Sequence, residues 1–153
     1  MKYICTLIAV QDMEKTKQFY RDVLGARVIS DFGANVTLDC GIALQTVESW
    51  QGFIGDKDIT LSGHAGELYF EEADMDRFLV HLSKIDIEYI HPPLEHDWGQ
   101  RVVRFYDPDR HIIEVGEDMT MVVRRFAGEG MTEAQIAERM DVPQSYVREC
   151  LSL

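Results

Sequence analysis

The sequence has no apolar run near the ~18 residues that a membrane-crossing helix needs. Met1–Val10 has the look of a short leader, but it carries no small-residue cleavage site and runs straight into a helix signal at Asp12. It reads as a buried strand, and no membrane association is expected. Cysteine is scarce: Cys5, Cys40 and Cys150 are odd in number and widely spaced, which excludes a disulfide framework and predicts a reducing cytoplasm. Basic residues are also few. Lys plus Arg number 15 against 27 Asp plus Glu, a formal charge of −12. Such a field repels phosphate backbones and anionic lipid, so nucleic acid is not an expected partner. What remains is a 153-residue chain with an ordinary 46% of hydrophobic residues, enough for one compact domain or two small modules.

The order of elements decides between those two. Residues 3–10 are a β-branched apolar run of strand length. Asp12 then caps a helix in which Phe19, Tyr20, Val23 and Leu24 share a face, and Gly25 stops it. Strands are predicted over 27–30, 35–38 and 42–47, with turn signals between them. No element is signalled from 48 to 66, where glycines at 52, 55, 63 and 66 mark a connector. The pattern then restarts: a strand over 67–72, a helix over 74–84, and strands over 88–90, 102–106 and 111–115. Asp12-Met13-Glu14-Lys15 and Asp74-Met75-Asp76-Arg77 stand 62 positions apart, and both read Asp, Met, acid, base. A repeat of this kind constrains architecture more than any single motif. The predicted fold is α+β: two βαβββ modules forming a curved mixed sheet around a shared cavity, plus a C-terminal helical hairpin. Module one spans 1–50, the connector 51–66, module two 67–118, and the extension 119–153. On the strand at 67–72, Glu67, Tyr69 and Glu71 share one face and Leu68 and Phe70 the other. Carboxylates opposite large apolar groups predict a face that lines water or a site.

The residues Asp12-Met13-Glu14-Lys15-Thr16-Lys17-Gln18-Phe19-Tyr20-Arg21-Asp22-Val23-Leu24-Gly25 form one signature. Trp98-Gly99-Gln100-Arg101, followed by Phe105-Tyr106-Asp107-Pro108-Asp109 and Ile112-Ile113-Glu114, form another. Together they resemble the vicinal-oxygen-chelate superfamily, which holds glyoxalase I, bleomycin-resistance proteins and extradiol dioxygenases. The resemblance covers residue 3 to about 117. It implies four inward metal-ligand positions, usually His or Gln, Glu, His and Glu, which fall here on Cys5, Gln45, Glu67 and Glu114. Neither histidine is present, and Gln45 replaces a carboxylate. Oxygen donors suit Mg or Mn, while a thiolate favours Zn or Fe, and Ni is a further candidate, so the set selects no single divalent metal.

Two readings stay open at this stage. One is a glyoxalase-like protein that binds a small organic molecule in the cavity. The other is a divalent-metal-dependent lyase, isomerase or dioxygenase, with Glu114 or Glu67 as the proton-moving base. Tyr69, Trp98, Arg101 and Phe105 are the candidate contacts to the small molecule in either case. A homodimer is the expected assembly. His91 and His96 fall in a mobile-looking segment, whereas His64, His81 and His111 read as ordinary surface or structural residues. The Asp-Pro-Asp turn of this superfamily usually continues with Gly. Here Arg110 follows, which predicts a strained turn or a different one.

The extension carries a capping box at Thr132-Glu133-Ala134-Gln135, an apolar face at Ile136, Ala137 and Met140, a break at Asp141-Val142-Pro143, and a second helix over 144–151. The stretch 132–148 resembles a helix-turn-helix. The charge of residues 131–153 argues against DNA, because Glu133, Glu138, Asp141 and Glu149 outnumber Arg139 and Arg148.

Overall fold

Asp12 and Asp74 occupy equivalent places in the structure, a computed structural model that describes residues 1–153 in full. Each accepts a hydrogen bond from the backbone N–H three residues on, Lys15 and Arg77 respectively, and so opens a helix. The chain divides into two units, Met1–Gly66 with Tyr106–Ile112, and Glu67–Phe105 with Ile113–Leu153.

Unit one contains β1 (Thr6–Val10), α1 (Met13–Leu24), β2 (Val28–Asp31), β3 (Asn35–Leu38), β4 (Ile42–Thr46) and α2 (Val47–Phe53). Its sheet runs β1-β4-β3-β2, with β1 parallel to β4 and the β2–β3 and β3–β4 pairs antiparallel. The buried face of α1 is Thr16, Tyr20 and Val23, spaced four and three apart. Gly25 ends the helix with φ 68°, its N–H bonded to the Arg21 carbonyl. The turn at 106–112 belongs to this unit and anchors α1. Asp109 accepts from Gln11 N–H and Thr16 Oγ1, while Asp107 accepts from the Tyr20 hydroxyl and from Asp109 and His111 N–H. Arg110 does adopt the left-handed conformation that glycine usually fills, at φ 67°, with its guanidinium 4.2 Å from the Tyr106 ring centre.

Unit two contains β5 (Glu67–Glu72), α3 (Met75–Leu82), β6 (Tyr89–Glu95), β7 (Arg101–Tyr106, its last residue in unit one) and β8 (Ile112–Glu117, its first residue in unit one). The sheet order β5-β8-β7-β6 reproduces that of unit one element for element, as the repeat predicts. Neither four-stranded sheet closes into a barrel. Met75, Phe78, Leu82, Val102, Val103, Phe105, Ile113 and Val115 are buried here.

Three sequence expectations need correction, and one an addition. β1 starts at Thr6 rather than residue 3, and Tyr3 and Ile4 are exposed. The connector opens with α2, whose first turn is tied by Ser49 Oγ bonding to both Oγ1 and the carbonyl of Thr46. The segment 91–95 is not a loop but the continuation of β6. As an edge strand with two register shifts it accommodates Pro92 and Pro93, which have no N–H to give to a ladder. In the extension a further helix, α4 (Met119–Gly128), precedes the expected helical pair, α5 (Glu133–Met140) and α6 (Gln144–Ser152). They enclose a core of their own, with Val122, Val123, Phe126, Ile136, Ala137, Met140, Val147 and Cys150 buried together.

Candidate functional site

Strand order in unit two sets four chemically active side chains in one row. Glu67 on β5, Glu114 on β8, Arg104 on β7 and His91 on β6 come from four successive strands of the sheet. Arg104 stands at the centre. Its Nε donates to Glu67 Oε2 at 2.8 Å, its Nη2 pairs with Glu114 Oε2, and its Nη1 lies 3.2 Å from His91 Nε2, the residue directly across the ladder. His91 Nδ1 faces the Pro92 carbonyl at 2.8 Å, which can only accept. In the neutral ring the hydrogen therefore sits on Nδ1 and Nε2 accepts from Arg104. Glu114 is 5% exposed, whereas the Glu67 side chain keeps about a third of its surface, 35%.

A second group stands on the same sheet. The Tyr69 hydroxyl accepts from Gln100 Nε2 at 3.0 Å and donates to Glu71 Oε1 at 3.2 Å. Burial raises the Tyr69 hydroxyl above its usual pKa, with the Gln100 donation opposing it. Gln100 Oε1 accepts from Trp98 Nε1, and Gln100 Nε2 also donates to the Glu117 carbonyl. One amide thus orients both aromatic side chains. Gly116 makes room for them, because a Cβ there would lie 2.8 Å from Gln100 Nε2 and 3.0 Å from the Tyr69 hydroxyl. Trp98 stacks on His96 with ring centres 4.1 Å apart. Tyr69 and Trp98 remain 48% and 39% exposed, so both offer aromatic surface to a ligand.

The other sequence candidates have different surroundings. Phe105 is fully buried and presents no surface. Arg101 is engaged by the Glu117 carboxylate through Nε and Nη2, and by Asp76 through Nη1. The Glu117 hydrogen bonds, with Asp76 adding to them, raise its pKa further. Burial alone would raise the pKa of Glu117, but the hydrogen bonds from Arg101 and Arg125 outweigh it and hold the carboxyl below its usual range. In unit one, Cys5 precedes β1 and is half-buried. Gln45 on β4 is buried, its Oε1 accepting from Asn35 Nδ2 at 2.8 Å and its Nε2 donating to Ser49 Oγ. Sequence reasoning passed over His91, Gln100 and Glu117 as site residues. Gln100 lay inside a quoted signature, while the value of His91 depends on a strand register that periodicity does not reveal.

A divalent cation does not fit this donor set. Both carboxylates expected as ligands face the guanidinium of Arg104, a cation already fixed between them, and the Gln45 amide oxygen is taken by Asn35. No group of three or more His, Cys, Asp or Glu side chains is disposed to hold a metal ion.

The glyoxalase-like domain family matches residues 3–120. The chain belongs to that family. The uncharacterised protein YraH of Bacillus subtilis is 27% identical to this glyoxalase-like chain over 124 residues, 75% of this chain and 97% of its own length. A crystal structure of a protein of unknown function from Agrobacterium tumefaciens has 38% identity and a TM-score of 0.70, over 77% of this chain and 94% of the other. The lactoylglutathione lyase of Agrobacterium tumefaciens shares the fold at 22% identity and a TM-score of 0.62, over 77% and 94%. In this glyoxalase-like protein most of the extension, from residue 121 on, lies beyond the family match.

Proposed function

We propose that this glyoxalase-like protein binds a small organic molecule with a planar aromatic part on the polar face of the unit-two sheet, without a metal. The observation that carries the reading is the Arg104 guanidinium paired with both Glu67 and Glu114 on the sheet that exposes Tyr69, with Trp98 exposed on the turn between β6 and β7. In this reading Tyr69 and Trp98 supply the aromatic contact, each oriented through Gln100, while Glu67 offers its exposed edge to a hydrogen-bond donor on the ligand. A carboxylate acting as general base would have to leave Arg104 first, so the geometry favours binding over proton transfer. A homodimer that binds neither nucleic acid nor membrane is part of the same proposal. Its supports are the −12 charge and the exposed Tyr3, Ile4, Ile29 and Phe32 of unit one. No helix is long and apolar enough to cross a membrane.

The test is a thermal-shift screen of the full chain against planar aromatic compounds in EDTA, followed by calorimetry of the best binder with Trp98→Ala and Tyr69→Ala. Mass action raises the melting temperature for a true ligand. Each variant is expected to weaken binding by about tenfold, roughly 1.4 kcal/mol. Stabilisation that appears only after metal addition, or affinity indifferent to both substitutions, would overturn the reading.

A further inference from the structure

We infer that the C-terminal three-helix extension is a positioning element of the ligand site, with Phe126 and Arg125 fixing the turn that carries Trp98 and Gln100. This inference rests on the ligand reading above for its functional meaning, though not for its geometry. Gly99, between those two residues, has φ 93°, and a Cβ on it would lie 2.1 Å from Phe126 Cζ and 2.5 Å from Cε2. The Phe126 ring is therefore pressed directly on the backbone of the turn, where no larger residue fits. Beside it, Arg125 Nη2 donates to the Gly99 carbonyl and also reaches Glu117 Oε2 at 3.1 Å. Glu117 closes the loop of contacts from the other side, its carbonyl accepting from Gln100 Nε2. Within the turn, His96 N–H donates to the Gln100 carbonyl and Gly99 N–H to the His96 carbonyl, so a push on Gly99 moves Trp98 and Gln100 with it.

The ring that presses on Gly99 is itself held. Phe126 belongs to the helical core with Val122, Ile136, Met140 and Val147, so α5 and α6 hold it from behind. The apolar residues of the helix-turn-helix-like stretch are thus spent on anchoring this ring. Both clamp residues lie beyond residue 120, where the family match ends, so the device is a property of the extension.

The experiment uses the full chain with Trp50→Phe, leaving Trp98 as the one tryptophan, and reads its emission and its quenching by acrylamide. Phe126→Ala and Arg125→Gln are expected to red-shift Trp98 and roughly double its quenching, as a turn released from its packing opens to solvent. Phe126→Leu, which keeps much of the bulk, restores most of the protection. Val36→Ala thins the core of unit one, outside this helical cluster, and leaves Trp98 unchanged. Trp98 indifferent to both Phe126→Ala and Arg125→Gln, or disturbed as strongly by Val36→Ala, would overturn the clamp. Loosened Trp98 supports it even if Trp98→Ala leaves ligand binding intact, a result that would defeat the ligand reading alone.

Discussion

Arg104 shows how one side chain redirects a site. Its guanidinium satisfies Glu114, which is nearly buried, and Glu67, which is not. Removing it leaves a carboxylate buried without its partner, the costly half of a broken ion pair. Arg104→Met is expected to lower stability by roughly 3 kcal/mol, and adding Glu114→Leu to recover a large part, since both charges then leave together. Urea unfolding of the three proteins checks this, and a double variant no better than the single would contradict it. In the sequence, Glu67 and Glu114 were legible as candidates from the repeat and the Asp-Pro-Asp signature. The place of Arg104 was not legible, because it depends on which strands flank β7. Arg110 was legible as an oddity, and its φ of 67° is the physical answer.

Among the elements, those with strong periodicity or caps were legible and those set by tertiary context were not. α1 and α3 follow from Asp12 and Asp74 with apolar residues at helical spacing. α4 was missed because it follows β8 after the single residue Asp118, although Val122, Val123 and Phe126 carry the helical pattern. β6 was cut short because Pro92 and Pro93 look like a loop until the strand is known to lie at a sheet edge. The contacts that anchor these elements also set the pH response. Glu117, which links β8 to α4 through Arg125, has a lowered pKa, so its contribution is complete above its usual value of 4.5 and is lost as pH falls below that. Burial lowers the pKa of His111, yet Asp107 outweighs it and the net shift is upward from 6.5. Its contribution is complete below 6.5 and is lost as pH rises through the folded value. Urea midpoints across pH should therefore fall on both sides of the 4.5–6.5 interval. Glu117→Gln should flatten the acid side and His111→Gln the alkaline side, and a profile unchanged by either would contradict the assignment.

For the molecule as a whole, the 62-residue repeat made the duplicated architecture legible, and the two sheets share one strand order. The extension was legible as helical, and its acidity is the reason that nucleic acid is not among the proposed partners. Its packing on the Trp98 turn was not legible, since nothing local in the sequence says that Gly99 meets Phe126. Centrally, the charge of Arg104 stands between Glu67 and Glu114, two of the positions that the superfamily resemblance implies as metal ligands. Calorimetric titration of the full chain with Mn²⁺, wild type beside Glu114→Gln, tests it most directly. No saturable binding is expected in either protein, and stoichiometric binding by the wild type that Glu114→Gln abolishes would contradict the placement of Arg104.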